Sequence, residues 1–151
     1  MSFTIAVVGP AQASPDEAAA AQQVGHHLAA AGHTVLTGGL GGVMQAASRG
    51  AAIADGTVVA ILPVIHLSHA NPFVTLAIPT GLVEMRNALI VRSADAVISI
   101  GGSWGTLSEV ALAVRTGVPV VMLRGWDLPE GPVVATTARE AVELAVALAQ
   151  Q

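Results

Sequence analysis

The stretch IGGSWGTLSE, Ile100 to Glu109, decides how this chain is read. An apolar run, Asp95–Ile100, ends in it. Three glycines pass within the next five positions, and a helical pattern, Thr106–Thr116, opens behind them. A strand that hands over to a helix through bare backbone has this form. The same passage occurs once more. His33–Thr37 reads as a strand, GGLGG at 38–42 as the turn, and Val43–Ala54 as the helix.

Working outward, strand and helix alternate along the chain. Phe3–Val8 is a first strand ending at Gly9-Pro10. Ser14-Pro15-Asp16-Glu17 supplies a capping box with proline at the first helical position, and the helix closes near Gly32. Thr57–Leu62 is a third strand. The proline-punctuated segment Pro63–Pro79 reads as loop with one short strand, and Leu82–Ser93 as a helix. Val118–Leu123 is another strand. After a loop, Thr137-Ala138-Arg139-Glu140 opens a last helix to about Ala149. The strands are almost continuously apolar, as in sheets covered on both faces. We therefore expect a Rossmann-like α/β fold, an open parallel sheet with helices on both faces, in a single domain spanning 1–151.

Composition narrows the function. Of the 151 residues 53% are hydrophobic and only 11% charged, where an ordinary domain is nearer a quarter charged. We read this as surface covered by other copies, a homodimer or homotetramer. The net charge of −4 and six scattered arginines argue against a nucleic-acid partner, which needs clustered cations. No apolar span reads as transmembrane, so no membrane partner is expected. There is no cysteine and no basic N-terminal region, which fits a cytoplasmic protein. Lysine is absent too. That excludes a Schiff base to pyridoxal phosphate and a Walker A lysine.

The two glycine turns fall where ligands bind in such sheets, beyond the carboxyl ends of strands. Bare backbone and the N–H groups of the following helix suit an anion. Gly38, Gly39, Gly41 and Gly42 of the first turn, with Gly101, Gly102, Ser103, Gly105 and Thr106 of the second, are the candidate phosphate or nucleotide contacts. Tight turns alone would also use glycine, and neither turn has the spacing of the dinucleotide fingerprint. Glu109 has two readings. It closes a Thr106-x-x-Glu109 capping box, or it binds ribose hydroxyls or acts as acid or base. Arg86, behind a third glycine at Gly81, pairs with Glu84 or a neighbouring subunit, or reaches the anion pocket. Trp104 stacks on a ligand ring or packs at an interface. Trp126 reads as ordinary packing, and Met44 and Met85 as core or pocket wall. His66 and His69 lack a third partner, so no metal is expected. No resident cofactor is expected either.

Taken together, GGLGGVMQAASRGA (38–51), TGLVEMRNALIVRSADAVISIGGSWGTLSEVALA (80–113) and GVPVVML (117–123) resemble the LOG-type superfamily. Many of its members carry a lysine decarboxylase label, which a chain without lysine cannot honour. The group is related to the Rossmann domain of DprA/Smf proteins. The resemblance implies cleavage of the N-glycosidic bond of a nucleoside 5′-monophosphate to free base and ribose 5-phosphate. Arg86 and Glu109 fall on the family's catalytic positions. It also implies phosphate held by Gly102, Gly105, Thr106 and the backbone around Gly41-Gly42. Two departures stand out. Ile100 replaces the motif's leading proline, and Asn87 follows the arginine where lysine is common; Asn87 thereby joins the candidate ligand contacts. Both, with Asn71, are similar to a bacterial branch near the molybdenum-cofactor carrier proteins, which bind a phosphorylated pterin. A non-catalytic phosphopterin carrier is therefore the rival expectation.

Overall fold

The structure is a computed structural model describing residues 1–151. Its chain runs β1 (Thr4–Val8), α1 (Pro15–Ala30), β2 (Thr34–Thr37), α2 (Val43–Ile53), β3 (Val58–Leu62), β4 (Leu76–Pro79), α3 (Arg86–Arg92), β5 (Ala96–Ile100), α4 (Trp104–Thr116), β6 (Val120–Leu123), β7 (Val133–Ala135) and α5 (Ala138–Ala149). All seven strands lie parallel in one sheet, ordered β4-β3-β2-β1-β5-β6-β7. The fold class expected from the sequence is the one found. The chain builds outward from β1 to β4, then returns to lay β5 against β1. That reversal makes the β1/β5 seam the topological switch point.

Strand periodicity divides the core in two. Ile5 and Val7 of β1 and Ile98 and Ile100 of β5 face α1, α2 and α5, in a cluster of 21 buried residues. Ala6, Val8 and Val97 point to the other side, against α3 and α4, in a cluster of 11. Alternate residues of a strand must face opposite ways, so each strand serves both layers. On the first face α1 and α2 touch backbone to backbone. A Cβ on Gly25 would collide with the Ala47 carbonyl, and one on Gly50 with the Gln22 carbonyl.

Local signals explain the helix starts. Ser14 and Glu17 form the expected capping box. At α5, Thr137 caps the Glu140 N–H, while the Glu140 carboxylate reaches the N–H and hydroxyl of Thr136. That holds the Glu140 carboxyl below its ordinary range. Asp95 accepts from the Thr4 N–H at 2.8 Å, tying the starts of β5 and β1.

Four expectations need correction. Helix α4 begins at Trp104 rather than Thr106, because Ser103 is its cap and accepts from the Thr106 N–H. Glu109 is thus a full turn too deep to close a capping box. The segment read as one helix over 82–93 is a 3-10 turn, Val83–Met85, followed by α3 from Arg86. Val83 takes a φ of +53°, a left-handed conformation that interrupts the α-helix. Met85 is 65% exposed and forms no pocket wall. β7 was not anticipated: three residues behind a Gly-Pro pair carry too little pattern, and only edge pairing with β6 defines them.

Candidate functional site

A cleft of about 190 Å³ opens at the carboxyl end of the β1/β5 seam. Three passages supply its wall. The end of β1 contributes Val7, Val8, Gly9 and Ala11. The first glycine turn and α2 contribute Gly38, Leu40 and Met44. The second turn and α4 contribute Ser103, Gly105, Thr106 and Glu109, with Arg86 and Asn87 closing the side toward α3.

Of the residues expected from the sequence, Gly38, Arg86, Asn87, Ser103, Gly105, Thr106 and Glu109 therefore meet in one place. Gly39, Gly41, Gly42, Gly101 and Gly102 do not line it. Gly39 faces Ala60 and Leu62, Gly42 lies against the Pro10–Ala11 backbone, and Gly101 against Glu17. The N–H of Val43, first in α2, is already given to the Pro10 carbonyl at 3.0 Å. At the α2 terminus around Gly41-Gly42, expected to hold phosphate, the first helical N–H is thus engaged by the protein's own chain. At α4 the case differs. Ser103 takes only the Thr106 N–H, and the N–H groups of Trp104 and Gly105 precede the first helical bond.

The first turn is held from behind. Asn71 donates from its backbone to the Gly39 carbonyl at 2.8 Å and from its side chain to the Leu40 carbonyl at 3.1 Å. Thr37 accepts from the Gly39 N–H at 2.9 Å.

Arg86 is pinned. One terminal nitrogen donates to the Gly38 and Ile61 carbonyls, both at 2.7 Å, and Nε donates to Asn87 Oδ1 at 2.9 Å. Its guanidinium therefore closes the ends of β2 and β3, and the residue lines the cleft. Asn87 in turn donates to the Ser108 hydroxyl at 3.3 Å, linking α3 to α4. Arg86 does not pair with Glu84; the one ion pair in the chain joins Arg124 and Asp16 at 3.8 Å.

Glu109 is only 7% exposed and takes no hydrogen bond from any protein group. Burial pushes its carboxyl up to about 8, against the opposing pull of the Arg86 charge. Burial likewise draws the Arg86 guanidinium down, with Glu109 resisting. A carboxyl raised this far favours its neutral, hydrogen-bond-donating form near neutral pH.

Val7, Val8, Gly9, Ala11 and Leu40 were not singled out from the sequence. The signal was present in Gly9-Pro10, since a first strand borders the switch point in most doubly wound sheets. No three His, Asp or Glu side chains converge in the structure, and His66 and His69 stand with ring centres 6.2 Å apart.

These features define a doubly wound α/β protein with its cleft at the switch point, fed by one open helix terminus. Residues 2–151 match the model of the SLOG cluster4 family, and the chain belongs to that family. An uncharacterized protein of Archaeoglobus fulgidus is 40% identical over 142 residues, 94% of this chain and 93% of that one. The molybdenum cofactor binding protein of Rippkaea orientalis superposes with a TM-score of 0.93 at 37% identity, over 98% of both chains. The molybdenum cofactor carrier protein of Chlamydomonas reinhardtii does so at 0.88 and 30% identity, over 100% of both. No helix is long and apolar enough to cross a membrane.

Proposed function

We propose that this chain binds a small phosphorylated pterin-type ligand in the β1/β5 cleft and acts as a carrier rather than a catalyst. The observation that carries the reading is Gly105. It lines the cleft, its φ is not positive, and a Cβ placed on it would meet nothing within 4 Å. Glycine inside a helix costs about 0.5–1 kcal/mol relative to alanine, so the fold alone has no use for it there. A ligand that must approach the open N–H groups of α4 does. The two molybdenum cofactor proteins of like fold support a pterin-type ligand.

The second reading is hydrolysis of a nucleoside 5′-monophosphate, because Arg86 and Glu109 do share the cleft. It is the weaker of the two. The solved proteins of like fold described above are molybdenum cofactor proteins, and the raised Glu109 carboxyl, which would equally suit a general acid, does not by itself favour hydrolysis.

One experiment separates them. The purified protein is incubated with nucleoside 5′-monophosphates, isopentenyl-AMP among them, and free base is sought by chromatography. In parallel, calorimetry measures phosphopterin binding to the parent and to Glu109→Gln. The carrier reading expects no base and binding that survives the substitution. Base release that Glu109→Gln abolishes would establish the hydrolase instead.

We further read the protein as a cytoplasmic homodimer or homotetramer. Val83, Met85 and Leu89 are exposed beside Arg86 and Asn87, and Leu76 and Ile78 are exposed on the edge strand. Such an apolar surface calls for a cover. Sedimentation equilibrium at micromolar concentration reads the assembly directly; a monomer would refute it.

A further inference from the structure

Both tryptophans of the chain stand beside the second glycine turn, and the cleft does not use them. Trp104, first residue of α4, is 78% exposed although Ser103 and Gly105 on either side line the cleft. Its ring centre lies 5.2 Å from that of Trp126, with the planes inclined by 42°. Trp126 is the fixed member. It packs against the α3/α4 cluster, and its indole N–H is buried without an acceptor. Its ring also occupies the space beside Gly102, where a Cβ would sit 3.0 Å from the indole nitrogen. The sheet therefore leaves a glycine bare to seat one tryptophan, and that tryptophan props a second one in water. An exposed indole fixed from behind, one residue from an anion cleft, is a stacking surface for a flat ring.

We infer that Trp104, buttressed by Trp126, is the platform for the heteroaromatic ring of the ligand whose phosphate enters the cleft; this rests on the phosphate-binding reading above. The ring class is a fused, nitrogen-rich heterocycle, pterin or purine. Stacking accepts any such face and gives affinity rather than hydrogen-bonded selection.

The test compares ribose 5-phosphate with guanosine 5′-monophosphate. They share the phosphate and sugar, and only the second carries a ring, one that has the aminopyrimidinone edge of a pterin. Calorimetry on the parent should show both binding, the nucleotide about tenfold more tightly. Trp104→Ala should leave ribose 5-phosphate unchanged and bring the nucleotide down to it; Trp104→Phe should keep most of the advantage. The chain has two tryptophans and no tyrosine, so its indole emission reports this pair alone. The nucleotide should quench that emission in Trp126→Phe and not in Trp104→Phe. A nucleotide that binds no tighter than ribose 5-phosphate, or an advantage that survives Trp104→Ala, overturns the platform and leaves the anion cleft standing. A change of sedimenting mass in Trp104→Ala with the advantage intact assigns the indole to a subunit interface, which also overturns it. If neither compound binds the parent, the phosphate-binding reading fails and the platform with it.

Discussion

The two faces of the sheet are built differently. The face under α1, α2 and α5 buries 21 apolar residues and brings two helices to backbone contact at Gly25 and Gly50. The face under α3 and α4 buries 11 and leaves polar business unfinished. It holds the Glu109 carboxyl, which takes no protein hydrogen bond and borders the cleft, and the buried, unpaired indole N–H of Trp126. Ser99 lies on this face too: it alternates with Ile98 and Ile100, and its buried hydroxyl has no partner. Buried polar groups without partners are costly, and native folds keep few. The thick side thus carries most of the apolar packing, and the thin side holds the cleft and the unpartnered polar atoms.

Glycine gives the largest break in that comparison. Gly50→Ala drives a methyl into the Gln22 backbone, which cannot swing aside, so α1 and α2 must separate. We expect a loss of about 3 kcal/mol or more in denaturant unfolding. Gly105→Ala on the thin face should do the reverse: stability rises by about 0.5–1 kcal/mol while phosphate-ligand binding is lost. An equal loss of stability in both variants would erase the distinction.

Next in size is Arg86→Met. It orphans the Gly38 and Ile61 carbonyls. Unfolding should show a loss of about 2–3 kcal/mol, and ligand binding should disappear. A variant as stable as the parent would show that the strand ends do not depend on the guanidinium.

Glu109 sharpens the electrostatic side. Its folded-state value, about 8, lies above the free value of 4.5, so the fold favours the protonated acid. The stability it contributes is complete below pH 4.5 and is lost as pH rises through 8. Glu109→Gln imitates the neutral acid. It should match the parent at pH 4 and exceed it by about 2 kcal/mol at pH 9, after allowance for water in the cleft. Denaturant midpoints at the two pH values read this. Parallel pH profiles would mean that the carboxyl is not buried as described.

The smallest effect belongs to Val83, a β-branched residue at φ +53° with a 63% exposed side chain. Val83→Gly should relieve the strain and raise stability by about 1 kcal/mol, seen as a small rise in Tm.

Much of this was legible beforehand. Apolar strands of four to six residues, capping signals at Ser14 and Thr137, and glycines at 38–42 and 101–105 sufficed for a parallel sheet with two bare turns. Local chemistry determines such features, because caps, turns and periodicity act within a few residues. The α4 start escaped for a local reason as well: Ser103 and Thr106 are both competent caps, and Ser103 fixes the start.

By itself, then, the sequence determined the fold class, the two glycine turns and the pairing of Arg86 with Glu109 as the residues to watch. The tertiary structure decided which glycines line the cleft. Gly42 is pressed against Pro10 and Ala11 from a loop some thirty positions earlier, while Gly105 faces open space. It also decided that Glu109 lies too deep in α4 to be a helix cap and that its burial raises the carboxyl's proton affinity. Both outcomes depend on contacts between distant segments. Strand order alone brings those segments together, and no window of sequence contains it.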